Sequence, residues 1–287
     1  MANAVILVID PKTQGSLLLL VILLLSSLGC EQRNAASIAC EPKLGQYVSI
    51  PGSQSVAGFE LLSHEVTNAQ FAQFVSATNY VTDAEQGVLA RRAGAGSALF
   101  SQTDDTLPGA WSLEEGANWR VPEGGVSNLE GRENHPVVHV SYRDAQRYAE
   151  WSGGRLPTEQ EWQLAAQLGL RDQTDRYSGA FDAAGVPIAN TWQGFFPVAN
   201  DASDGYKLTA PVGCYPASTL GLHDMIGNVW EWTSSPHGEK QHVIKGGSFL
   251  CASNFCRRFH PAARQYQDDD FSTNHTGFRV ARTAHRS

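Results

Sequence analysis

Apolar and polar residues fall into readable patterns over short stretches of this chain only. Tyr47-Val-Ser-Ile-Pro51 predicts a strand halted at Pro51-Gly52, with the folded region beginning near Gln46. Val66-Thr-Asn-Ala-Gln-Phe-Ala-Gln-Phe-Val75 sets Phe71, Phe74 and Val75 on one face at helical spacing, and Thr67 with Gln70 forms a capping box at its start. Asn134-His-Pro-Val-Val-His-Val-Ser-Tyr142 predicts a short buried strand leading into a helix from Asp144 to Trp151, with His135 and His139 as structural residues. Gly153-Gly-Arg-Leu-Pro157 is a turn. Thr158 and Glu161 form a second capping box, opening a helix that turns Trp162, Ala165 and Ala166 inward. Residues 82–120 have poor periodicity and two tryptophans, and predict a long irregular excursion of the kind that is functional or mobile inside a compact domain. Asp172 to Ser235 alternates turns with short strands and is dense in Asn, Asp and Gly. Together these elements predict one α+β domain of low regular content over residues 46–282, with a short tail at 283–287.

The N-terminal residues read differently. Leu17 to Leu25 is an unbroken apolar run preceded by Lys12 and followed by Ser26-Ser-Leu-Gly-Cys30. That run is the length of a signal-peptide core and short of the roughly 20 residues a spanning helix needs. Residues 1–30 are expected to direct export, with 31–45 as a polar linker. The segment ending in Gly29-Cys30 resembles a bacterial lipoprotein cleavage box, which makes Cys30 the position of a lipid anchor. The expected location is the periplasm, or a membrane-anchored lipoprotein facing the periplasm or exterior.

Export changes how the five cysteines are read, because thiols outside the cytoplasm tend to be oxidised. With Cys30 assigned to lipid, Cys40, Cys214, Cys251 and Cys256 remain. Cys40 lies in the linker, and Cys214 reads as a small buried residue. Cys251 and Cys256 are five positions apart, behind Lys245-Gly-Gly-Ser248 and ahead of several arginines. So close a pair can form a disulfide, share a metal or do redox chemistry. Structural zinc, which wants four ligands, is disfavoured, since His260 is the only histidine nearby. A two-thiolate site suits a soft ion such as Cu(I), while a disulfide fits the same spacing.

Composition narrows the partners. A net charge of −8 with no block of like charge argues against nucleic acid or an anionic membrane as the main partner. A hydrophobic fraction of 42% is ample for a core. Asn190-Thr-Trp-Gln-Gly, Asp204-Gly-Tyr206 and Asp224-Met-Ile-Gly-Asn-Val-Trp-Glu231 are rich in side-chain oxygens set among glycines, which fits turn residues and also calcium ligands.

Ala189-Asn-Thr-Trp-Gln-Gly-Phe-Phe-Pro-Val198, Gly221-Leu-His-Asp-Met-Ile-Gly-Asn-Val-Trp-Glu-Trp-Thr233 and Gly246-Gly-Ser-Phe-Leu-Cys251 resemble the formylglycine-generating enzymes, or sulfatase-modifying factors. Gly153-Gly-Arg-Leu-Pro-Thr-Glu-Gln-Glu-Trp162 and Thr276-Gly-Phe-Arg-Val280 are similar to the same family, so the resemblance spans about Tyr47 to Arg282. It implies a C-type-lectin-like fold and a copper-dependent oxidase that uses O2 to convert a cysteine in an unfolded sulfatase segment, Cys-x-Pro-x-Arg, to formylglycine. By the same resemblance Cys251 and Cys256 hold Cu(I), and Ser248 is an active-site serine. One calcium ion takes Asn190 and Asp204 with the carbonyls of Thr191 and Tyr206. A second takes Asp224 and Glu231 with the carbonyls of Gly227 and Val229. Trp119 and Arg120 resemble a segment lining the peptide groove, and Arg264 would orient substrate or form a structural ion pair. Arg279 is expected to be structural, and the protein to be a monomer.

The chain departs from vertebrate-type enzymes at Ala252, His260 and His275, where those have histidine, arginine and asparagine. It also lacks two family disulfides, having Ala149 with Val280 and Ala166 with Pro261 at those positions. Two other functions stay open: a silent binding module in which Cys251 and Cys256 form a disulfide, and an oxidase acting on another thiol.

Overall fold

The computed structural model describes residues 40, 44–87, 96–102, 107–170, 179–256 and 260–284, so the expected signal peptide and Cys30 anchor lie outside the described residues. Among the described residues, no helix is long and apolar enough to cross a membrane. Strand β1 (Tyr47–Ile50) pairs with β2 (Phe59–Leu62), and β2 pairs in turn with β9 (Ala281–Thr283), so the domain's first and last strands share one sheet. A four-stranded sheet runs in the order β7 (Gln265–Asp268), β6 (Gln241–Lys245), β5 (Trp230–His237), β8 (Thr276–Gly277). Its β5–β8 pair is parallel, and a register shift between Trp232 and Pro236 absorbs the proline that β5 carries.

Helix α1 (Asn68–Thr78) starts where Thr67 Oγ1 accepts the Gln70 N–H and the Gln70 side chain accepts the Thr67 N–H. The same reciprocal cap opens α4 (Glu159–Gly169) at Thr158 and Glu161. Helix α3 (Tyr142–Trp151) begins two residues before the expected Asp144. Ser141 is its N-cap, and Asp144, with a shorter side chain than the usual Glu or Gln, closes the box. Residues 134–141 do not form the expected strand: His139 sits at φ +58°, which ends extended backbone there.

The largest correction concerns residues 82–120. That stretch holds a short helix, α2 (Asp83–Gln86), and a regular hairpin of β3 (Gly96–Ser101) with β4 (Ala110–Glu115). The hairpin is held from far along the chain, where Asn274 bonds the Phe100 N–H and C=O through its side-chain amide. Beneath these elements lies an aromatic core around fully buried Phe71, with Trp119 at 5.2 Å, Tyr148 at 5.8 Å and Phe278 at 6.4 Å. Cys214 is not simply a small buried residue. It is bonded to Cys40, which fastens the expected linker to the body of the domain.

Candidate active site

The site is built where the chain leaves β6. Gly246 and Gly247 both have positive φ, +95° and +78°, and a Cβ on Gly246 would stand 3.2 Å from the Trp162 ring. The turn delivers Ser248, whose carbonyl accepts the Cys251 N–H at 2.9 Å. Ala252 and Phe255 then exchange main-chain hydrogen bonds at 2.8 and 3.1 Å, closing a tight turn that brings Cys256 back beside Cys251. Cys256 takes φ +56°, a conformation side chains other than glycine rarely adopt and one that clusters at functional sites. The two sulfurs are 3.0 Å apart, and neither is in a disulfide.

Both sulfurs line a cavity of about 810 Å³ that also meets Trp111, Leu113, Phe196, Ser248, Leu250, Phe255, Gln267, Phe271 and His275. No Asp, Glu, Lys or Arg is among its described lining residues. Burial and the neighbouring Cys256 sulfur push the Cys251 thiol well above its usual range. Ser248 Oγ lies 3.0 Å from His275 Nδ1 and accepts the Leu250 N–H at 3.2 Å. Burial drives His275 down to about 3, so its ring is neutral at ordinary pH. The Trp111 ring meets the His275 ring edge-on at 5.0 Å. Trp111, Leu113, Phe196 and the role of His275 as partner to Ser248 were not legible in the sequence. The only signal was a tryptophan within the weakly patterned stretch 82–120.

The donor set beside this cavity is two thiols, and no cluster of three or more His, Cys, Asp or Glu stands ready for a metal among the described residues. Two convergent sulfurs in apolar surroundings suit a soft monovalent ion, whose charge would offset what burial denies a thiolate, and do not suit zinc.

The expected groove residues are placed elsewhere. Trp119 is 3% exposed and belongs to the core around Phe71, and it does not line the cavity. An Asx turn explains this: Asn118 Oδ1 accepts the Arg120 N–H at 2.8 Å, which folds the indole inward. Arg120 lies over that indole and pairs with Glu85. Arg264 forms an ion pair with Glu159 at 2.9 Å, with Lys245 3.6 Å from the same carboxylate. Among the residues that depart from vertebrate-type enzymes, Ala252 is buried against the Phe196–Phe249–Leu250 cluster and His260 closes a local turn through Nδ1 to the Ala262 N–H. Ala149 and Val280 lie in one core cluster, and Ala166 and Pro261 line one cavity, so each pair that would replace a bridge occupies shared surroundings.

The two oxygen-rich segments pack directly on each other. Gly227, at φ +77°, lies against Asn190 so closely that a Cβ would fall 2.2 Å from its carbonyl oxygen. Asn190 Oδ1 is buried with no hydrogen-bond partner. Asp204 accepts the Thr191 N–H at 2.9 Å and the Tyr206 N–H at 3.2 Å, and burial lifts it to about 6. An orphaned Asn190 oxygen, one residue from the Thr191 N–H that the half-buried Asp204 carboxylate accepts, fits a cation there. In the second set Glu231 is already engaged by Arg279 through both oxygens at 2.7 Å and by the Trp162 N–H. Yet Glu65, Asp224 and Glu231 share that single guanidinium, and burial together with their mutual repulsion raises Glu65 and Asp224. A divalent cation there would compete with the guanidinium and the indole that already hold both Glu231 oxygens.

A small α+β domain that presents two thiols and a serine at one cavity defines a thiol-bearing site on a loop-rich scaffold. Residues 45–284 match the model of the sulfatase-modifying factor enzyme 1-like domain, and the chain belongs to this family. The formylglycine-generating enzyme of Mycobacterium tuberculosis is 42% identical over 262 residues, covering 78% of this chain and 87% of that protein. The inactive C-alpha-formylglycine-generating enzyme 2 of Mus musculus is 34% identical over 248 residues, covering 81% of this chain and 77% of that protein. The solved structure of CarF superposes with a TM-score of 0.56 at 20% identity, over 84% of this chain and 98% of that one, which shows the shared fold.

Proposed function

We propose that this chain is a formylglycine-generating oxidase acting on a cysteine of an unfolded sulfatase segment. The observation that carries the reading is the Cys251–Cys256 pair, 3.0 Å apart without a disulfide on the wall of a cavity with no charged residue among its described lining, in a chain that matches the family across residues 45–284. A silent module would have the pair closed. Cys251 and Cys256 are the residues that would hold Cu(I), and when bound it supplies the one-electron chemistry toward O2 that no side chain offers.

The remaining roles belong to the chain itself. Aromatic and aliphatic side chains dominate the lining around the thiols and leave room for a guest cysteine. Ser248, fixed between His275 Nδ1 and the Leu250 N–H, sets a hydroxyl beside Cys251 for orienting the incoming sulfur or moving a proton. The thiol-bearing carbon of the substrate loses two electrons and becomes an aldehyde, its oxygen coming from water and its sulfur leaving as hydrogen sulfide. O2 takes those two electrons and two more from an external thiol reductant, and is reduced to water. Calcium at the Asn190–Asp204 and Asp224–Glu231 sets would be structural, tying loop-rich segments together. A Cys40–Cys214 disulfide suits an oxidising compartment, which supports export to the periplasm or exterior, with Cys30 as the lipid anchor.

The test is to incubate the protein with Cu(I), O2, a thiol and a Cys-x-Pro-x-Arg peptide, and to look for an aldehyde by mass and hydrazide capture. Aldehyde that disappears in Cys251→Ser and Cys256→Ser supports the reading. Tight Cu(I) uptake without aldehyde points to another thiol substrate, and absence of both returns the chain to a binding module.

A further inference from the structure

The β3–β4 hairpin forms one wall of the cavity, and its backbone orientation follows from its hydrogen bonds. The Ala98 N–H donates to the Ser272 carbonyl, and the Ala98 carbonyl accepts the Asn274 N–H, both at 3.1 Å. The Phe100 N–H and C=O are taken by the Asn274 side chain at 3.1 and 2.9 Å. Both residues therefore turn their main-chain groups away from β4. In an antiparallel ladder such residues sit in non-hydrogen-bonded pairs, and their opposite numbers face outward too. Those opposite numbers are Leu113 and Trp111.

No second strand pairs with β4 among the described residues. Its outer edge thus offers two N–H donors and two carbonyl acceptors, at Trp111 and Leu113. The side chains of the same two residues line the cavity that holds Cys251 and Cys256. They are 48% and 47% exposed, and β4 carries no charge until Glu114. Exposed edges of this sort are usually covered, kinked or charged.

We propose that the cysteine-bearing segment of the substrate docks as an added strand on the free edge of β4, bonding the main chain of Trp111 and Leu113 and pointing its cysteine into the cavity. This rests on the peptide-oxidising reading above and specifies how the peptide is held. Strand addition binds through main-chain groups, of which the proline of Cys-x-Pro-x-Arg lacks only its N–H, and leaves selection to alternate side chains. Residues opposite Trp111 and Leu113 share their face, so positions two apart enter the cavity and those between turn outward. Only an unfolded segment can bind so, because a folded one has already committed its backbone groups.

The experiment is an N-methyl scan of a dye-labelled Cys-x-Pro-x-Arg peptide, with binding to the full chain read by fluorescence anisotropy and aldehyde followed in parallel. Affinity is expected to fall about tenfold when the methyl group is on alternate residues and less than about twofold on those between. A profile without that period of two, or no binding of the unmethylated peptide, overturns the proposal. A second arm compares Leu113→Pro, which removes an outward N–H and leaves the β3 pairing intact, with Leu113→Val, which keeps it. The first is expected to bind about tenfold more weakly and the second within about threefold; equal binding by the two overturns the proposal. If the alternating profile is found without aldehyde, the oxidase reading fails and the docking mode stands.

Discussion

Cys40 and Cys214 stand 174 positions apart and are joined, whereas Cys251 and Cys256 stand five apart, face each other at 3.0 Å and are not. The first pair lies in a small cluster with Ala210, Tyr206 and Tyr215, where it fixes Cys40 to the domain. The second is kept close by a tight turn made of main-chain hydrogen bonds, so its sulfurs meet without a covalent link at the cavity wall. Proximity in this fold therefore has two sources, and only one of them leaves sulfur chemistry to be done.

The widest separation between the pairs should appear on substitution. Cys251→Ser or Cys256→Ser is expected to lower aldehyde formation on the order of 10³-fold or more, while thermal unfolding shifts by only a few degrees, about as a nearly isosteric replacement would. The double replacement Cys40→Ser with Cys214→Ser should do the reverse. Turnover should stay within about twofold, and the unfolding midpoint should fall by about 5–15 °C, the equivalent of losing roughly 2–5 kcal/mol from a domain of this size. Turnover that follows the second pair, or stability that follows the first, would break the contrast.

Chelation sharpens it. Stripping divalent cations with EGTA is expected to lower the midpoint by about 5–10 °C through loss of roughly 2–3 kcal/mol of binding free energy, as read by scanning calorimetry with and without added calcium. Asn190→Ala should erase the part of that difference carried by the Asn190–Asp204 set, about half, without touching Cu(I) uptake. Smallest is a pH effect confined to the frame. His64 is fully buried, its Nδ1–H donates to the Glu65 carbonyl and its Nε2 accepts the Gly45 N–H, and burial holds it down to about 4 against 6.5 when unfolded. Between those values the unfolded chain binds a proton that the native one refuses, so this contribution to stability is lost as pH falls from 6.5 toward 4, at up to about 1.4 kcal/mol per unit. Urea midpoints measured across that window should show a flatter slope in His64→Gln, and an unchanged slope in Cys251→Ser.

What could be read from the sequence was what is local. The Thr67–Gln70 and Thr158–Glu161 boxes close over a single turn, and the structure has both. The Ser248-to-Cys256 segment is local too, which is why its residues gather at one cavity. The β3–β4 hairpin was not legible. Its strands are weakly patterned, and its fixing partner, Asn274, is far away in the chain. Cys40 and Cys214 failed for the same reason, since connectivity does not follow from spacing. Trp119 was assigned to a groove on motif likeness, but the Asx turn at Asn118 buries it instead.

The pairing of β2 with both β1 and β9 has a practical meaning for anyone trimming this protein. Arg155 and Ala281 also exchange main-chain hydrogen bonds at 2.9 and 2.8 Å. A chain cut short before Ala281 would strip β2 of a neighbour and the turn ahead of α4 of its anchor. A handful of residues removed from the far end would thus loosen the beginning.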